Sequence, residues 1–234
     1  MTWLKNCTTL IQTKGKVNRV GLGVLILGES GSGKSTSLRH FKKSDVLIFN
    51  VAGKRLPFKQ GEEKLNTVNL RFMNGSERYE VITSYLLKYQ EQCKVFVIDD
   101  SQYLMAFEEI NRWAEKGYEK FSQMALHFTE LMDTIASLND DVIVYLLHHT
   151  ELDDYGRLKA KTVGKMIDSK LTLEGLFDVV LMAFNDKGHY CFVTHNDGRA
   201  TTKSPMGMFD QDEVDNDLKA VDKAIREYFE IEGD

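Results

Sequence analysis

The chain has 234 residues and a formal charge of −5, with 42% apolar and 28% charged residues and only two prolines. That length can bury a full core, and the composition excludes a disulfide-stapled mini-protein, a collagen-like repeat or an extensively disordered chain. The negative balance means that any contact with nucleic acid or an anionic membrane must be local. Cys7, Cys93 and Cys191 are far apart and lack the CxxC spacing of a zinc or redox site, so buried thiols in a reducing compartment are expected. The longest clean apolar runs fall far short of the ~18 residues of a membrane span, and the amino terminus has no signal-peptide core. A cytoplasmic protein with no membrane contact is the expectation.

Residues 1–21 form an amino-terminal extension to which the sequence assigns no role. Gly21 to Leu27, Asp45 to Val51, Lys94 to Ile98 and Val142 to Leu147 are short apolar runs with polar or glycine borders, each predicted as a buried strand. Between them, helical character is predicted for Lys34 to Lys42, Ser76 to Gln92 and a long stretch from about Leu104 to Leu138. In that last stretch Phe121, Met124, Phe128, Leu131, Ile135 and Leu138 recur three and four residues apart, which makes one apolar face. After residue 150, Phe177 to Phe184 and Tyr190 to Thr194 read as a hairpin around an Asn185 to Gly188 turn. Alternating strands and helices predict an α/β fold with a mostly parallel central sheet and helices on both faces, and ligands at the carboxyl ends of its strands. Residues 22–208 are assigned to this core and 209–234 to an acidic carboxyl-terminal helix. That last segment carries ten acids against Lys219, Lys223 and Arg226.

Residues 28–36 read GESGSGKST, the GxxxxGK[ST] pattern between a strand and a helix. Gly28, Gly31 and Gly33 let the backbone N–H groups of Glu29, Ser30, Ser32 and their neighbours converge on phosphate oxygens. Lys34 adds a positive charge, Ser35 can ligate Mg2+, and Thr36 completes the loop. The pattern predicts a nucleoside triphosphate site. Guanine specificity is disfavoured, since no NKxD motif occurs, and ATP is expected. The strand VFVIDD ends in two carboxylates: Asp99 as metal partner and Asp100 as candidate base for the attacking water. The Val142 to Leu147 strand ends in His148 and His149, either of which could sense the γ-phosphate, with His149 carried as the catalytic candidate. Arg157, Lys159, Lys161, Lys165 and Lys170 stand against the single acid Asp168, a candidate electrostatic DNA site with Tyr155 available for stacking.

The P-loop together with VIDDSQYLM (97–105), HHTE (148–151), TVGKMIDSKLTLEG (162–175) and NDGRATTKSPMGMFD (196–210) resembles bacteriophage ATP-binding proteins of the RecA-like AAA class. Some members of that group are described as single-strand annealing proteins. The resemblance implies a RecA-like P-loop NTPase in which the HHTE strand lies between the P-loop strand and the Asp99 strand. It further implies a magnesium-dependent ATPase acting on single-stranded DNA in recombination or replication, in the bacterial host cytoplasm. Expected partners are single-stranded DNA, a single-strand binding protein and further copies of the chain, with Lys203 or Arg199 reaching a neighbour's γ-phosphate. RecA carries its catalytic glutamate at the end of the strand after the P-loop helix, where this chain reads Phe49-Asn50-Val51; slow hydrolysis is therefore expected. A small-molecule or nucleotide kinase and a non-enzymatic ATP-gated adaptor are the rival readings.

Overall fold

The computed structural model describes residues 20–60, 64–163, 172–196, 198 and 200–231. Residues 1–19 of the extension, together with Lys165, Lys170 and Arg199, lie outside the described residues. The predicted strands all form: β1 (Leu22–Gly28), β2 (Leu47–Asn50), β4 (Val95–Asp99), β5 (Ile143–Leu152), β7 (Val179–Asp186) and β8 (His189–Val193). Three short strands join them, β3 (Asn66–Asn69), β6 (Leu158–Ala160) and β9 (Glu213–Asp215). They escape prediction because they are only three or four residues long, and only neighbouring strands give them their pairing.

The sheet runs β3-β2-β4-β5-β1-β7-β8-β9, with β6 paired to the far end of β5. From β3 to β7 the pairs are parallel, and β8 and β9 add antiparallel strands at one edge. β5 thus lies between the P-loop strand β1 and the Asp99 strand β4, as the resemblance implies. Alternation along β1 divides the core: Leu25 and Leu27 enter one apolar layer, Val24 and Ile26 the other.

The first layer is covered by α1 (Glu77–Tyr89), α2 (Gln102–Asn111) and α3 (Glu119–Ala136). The single helix predicted over 104–138 is therefore two, separated by a break in which Gly117 has φ +93° and Arg112 bonds Glu108 and Glu115. The predicted apolar face survives in α3, where Met124, Phe128, Leu131 and Ile135 are buried. The second layer is covered by α4 (Leu218–Phe229) and by Ser35–His40, a tight 3-10 turn where a longer helix was expected. Ser37 Oγ donates to the Lys34 carbonyl and Arg39 bonds the Asn216 carbonyl, which hold this short segment in its tighter winding. The acidic segment 209–234 is not helical from its start: β9 comes first, and the helix begins at Leu218 behind an Asp217 cap. Tyr145 from β5 donates to Asp222 at 2.8 Å, which pins α4 to the sheet. No helix among the described residues is long and apolar enough to cross a membrane.

Candidate functional site

Parallel strands deliver their carboxyl ends to one edge of the sheet, where Gly28 pairs with His149 and Asp99 ends the strand on the other side of β5. The loop after β1 turns through Gly31 at φ +82° and Gly33 at φ +97°, a region that favours glycine. A Cβ on Gly33 would stand 2.8 Å from the Tyr190 ring, and one on Gly28 would stand 2.9 Å from the Ala183 carbonyl. The loop backbone is thus packed close against β7 and β8. Glu29, Ser30 and Gly31 face solvent, Ser32 is buried with its hydroxyl unpartnered, and Thr36 is half-buried.

Lys34 is buried, and its ammonium donates to the carbonyls of Gly28 at 2.7 Å and Glu29 at 2.9 Å. Burial lowers its pKa to about 8, against the pull of Asp100 and Asp99. Ser35 donates its hydroxyl to Asp99 at 2.7 Å, which joins the P-loop to the end of β4. Burial of Asp99 raises its pKa to about 6, although the Ser35 bond and the lysines oppose this. A hydroxyl and a carboxylate at this spacing are the hard oxygen donors that Mg2+ takes, and the unpartnered Ser32 hydroxyl lies in the same loop. The residues present therefore fit a magnesium-bound triphosphate.

Asp100 sits next to Asp99 in the chain and differs from it in environment. Its backbone has φ +61°, outside the ordinary range for an aspartate, and its carboxyl meets Lys54 and His149 where that of Asp99 meets Ser35. One oxygen accepts from Lys54 at 2.8 Å and the other from His149 at 3.0 Å. Burial pushes its pKa up, but the bonds from His149 and Lys54 outweigh that and hold it at about 2. A carboxylate ionised to that degree only accepts, so His149 Nε2 carries the hydrogen.

Of the two histidines only His149 reaches these groups. His148 is fully buried and donates through Nε2 to the Lys161 carbonyl, with Ser101 Oγ at its Nδ1. Burial lowers its pKa to about 4, which keeps it neutral, and it braces β5 against the segment after β6.

Sequence reasoning missed Lys54 and Asn50. Asn50 ends β2, and its side chain accepts from Gly53 N at 2.7 Å and donates to the Lys54 carbonyl. This ties the loop that carries Lys54 to Asp100 and over the Tyr103 ring at 5.4 Å. An asparagine followed by Val-Ala-Gly-Lys is a turn signal, but nothing in it names the acid that the lysine will meet.

The basic segment begins on the β5–β6 hairpin. Arg157 pairs with Asp153 at 2.9 Å and Lys159 with Glu151 at 3.4 Å, so part of its charge is met locally. Lys161 follows β6, and Tyr155 at the tip is 85% exposed beside the Arg157 guanidinium. Lys203 is exposed and paired through its backbone to Val180, level with Leu25 rather than with Gly28. It does not join the Lys34, Asp99 and Asp100 cluster of its own chain.

A family model described as an AAA domain matches residues 21–206. Comparison with curated proteins finds no match.

Proposed function

The chain belongs to the AAA domain family of P-loop ATPases, and from that premise we propose that it binds ATP with Mg2+ at the Gly28 to Thr36 loop and hydrolyses the γ-phosphate. The observation that carries this reading is the Ser35–Asp99 bond of 2.7 Å at the mouth of the P-loop, with the Lys34 ammonium beside it. The loop N–H groups and Lys34 hold the phosphates, and Ser35 and Asp99 hold the ion. Mg2+, when bound, spreads the negative charge of the phosphate oxygens. Asp100 is the proposed proton acceptor for the attacking water, since Asp99 is engaged by Ser35. With both oxygens held by Lys54 and His149 it is a weak base, so hydrolysis is slow until one of those partners turns to the phosphate.

Single-stranded DNA is the proposed macromolecular ligand. The exposed Tyr155 ring and the cations Arg157, Lys159 and Lys161 support it, because bases stack on aromatic faces and phosphates draw cations. The hairpin that carries them continues β5 directly beyond His149, which offers a short path from a bound strand to the nucleotide.

ATP turnover measured with and without single-stranded DNA, in Mg2+ and in excess chelator, tests both parts. Turnover that needs Mg2+ and rises with DNA is expected. Turnover only with a nucleoside monophosphate would make the protein a kinase, and binding without turnover would make it an ATP-gated adaptor.

A further inference from the structure

The edge strands β8 and β9 bring together three side chains that the nucleotide site does not use. Alternation along β8 places His189 and Cys191 on one face, and the antiparallel register sets Glu213 of β9 opposite Val193, on that same face. A ring nitrogen of His189, the Cys191 Sγ and a carboxylate oxygen of Glu213 lie within 4.8 Å of one another. Cys191 is buried, whereas His189 and Glu213 are exposed and, among the described residues, make no side-chain hydrogen bond or ion pair.

The donor set selects the ion. An imidazole nitrogen, a thiolate and a carboxylate are ligands that Zn2+ takes at about 2.0–2.3 Å, while Mg2+ and Ca2+ take oxygen. Ligand atoms of a tetrahedral set stand about 3.5 Å apart, so the exposed imidazole and carboxylate have little distance to close on the buried sulfur. Glu213 comes from a separate strand, which is why spacing along the chain carries no zinc motif.

We propose that His189, Cys191 and Glu213 bind one Zn2+ ion, with water in the fourth position, and that the ion fastens β9 to β8. The Cys191 thiol releases its proton to solvent as the Zn–S bond forms. β9 is a three-residue strand at the edge of the sheet, so a metal bridge supplies a tie that its few backbone bonds do not. This tie lies behind the phosphate loop. Tyr190, between the two ligands of β8, points to the opposite face, and a Cβ on Gly33 would stand 2.8 Å from its ring. Asn216, the residue after β9, packs against the same glycine and accepts from Arg39. The Ser35–Asp99 pair offers oxygen alone and is a separate site.

The full-length protein, reduced and stripped by chelator, is titrated with Co2+ in excess Mg2+ and then with Zn2+. A near-ultraviolet thiolate-to-Co2+ charge-transfer band is expected, saturating at one ion per chain and displaced by Zn2+, and Zn2+ should raise the melting temperature. Cys191→Ser should abolish the band and Cys93→Ser should keep it. His189→Ala and Glu213→Gln change exposed side chains and should each weaken Co2+ binding by about 10-fold or more, circular dichroism confirming the fold. Should Cys191→Ser fail to fold, these two variants decide. A band that survives Cys191→Ser overturns the proposal. So does an affinity unchanged in both His189→Ala and Glu213→Gln, or binding that never saturates, which would be adventitious. Each readout follows the metal and not ATP turnover, so failure here leaves the nucleotide reading standing.

Discussion

Asp99 and Asp100 are neighbours in the chain, yet burial holds one at a pKa of about 6 and two donors hold the other at about 2. The first shift makes Asp99 a cost to the nucleotide-free fold. A carboxylate raised from 3.8 to about 6 favours the folded state below pH 3.8, and that contribution is lost as pH rises through about 6. Asp99→Asn should therefore melt higher than wild type above pH 6 without nucleotide or Mg2+, by up to about 3 kcal/mol, and the gap should close on acidification. The same variant should lose Mg2+-dependent ATP binding, which thermal shift with and without MgATP would read. Asp100→Asn should instead retain nucleotide and lose about 100-fold in turnover number; lost affinity with intact turnover would reverse the two roles. Lys34→Ala should abolish hydrolysis, by about 100-fold or more, and weaken ATP binding while the melting profile stays cooperative. Its ammonium donates to two carbonyls of its own loop, and the side chain belongs to neither apolar layer of the core.

At the scale of elements, the β5–β6 hairpin joins the two halves of the proposed activity. His148 and the Lys161–His149 backbone bond of 2.9 Å fix the hairpin to the strand that ends at the nucleotide site. Tyr155→Ala should lower affinity for single-stranded DNA about 10-fold, the worth of one stacked base, and leave the salt dependence unchanged. Replacing Lys159 and Lys161 by alanine should lower both the affinity and the slope of log affinity against log salt, by about 0.7 for each phosphate no longer neutralised. Arg157 and Lys159 already face Asp153 and Glu151, so the observed slope should fall below that of fully solvated cations. Fluorescence anisotropy over a salt series checks both, and affinity indifferent to all three substitutions moves the DNA site off this hairpin.

For the whole molecule, Lys203 stands level with Leu25 and outside its own nucleotide cluster, so a role at a γ-phosphate requires another subunit. Mixing Lys203→Ala with Lys34→Ala subunits should restore part of the ATPase, because some interfaces then pair an intact P-loop with an intact lysine. No recovery in a demonstrably mixed oligomer counts against a shared site.

The β-branched runs, the GESGSGKST loop and the Asp99 strand end were legible because each is a local pattern: alternation, glycine at tight turns, a carboxylate where a strand stops. Local pattern also carried the apolar face of α3 through a helix break that it did not foresee. By itself the sequence determined an α/β sheet with a P-loop and the two acids opposite it. Tertiary structure decided what those acids meet. Lys54 meets Asp100 only because β2 lies beside β4 and Asn50 ties the intervening loop, and His149 meets it only because β5 runs on the other side. It also separated the two histidines, since alternation along a strand sends one side chain into the core and the next toward the site. Such pairings depend on strand order, which joins residues about 50 positions apart, and spacing along a chain carries no record of which distant strands become neighbours.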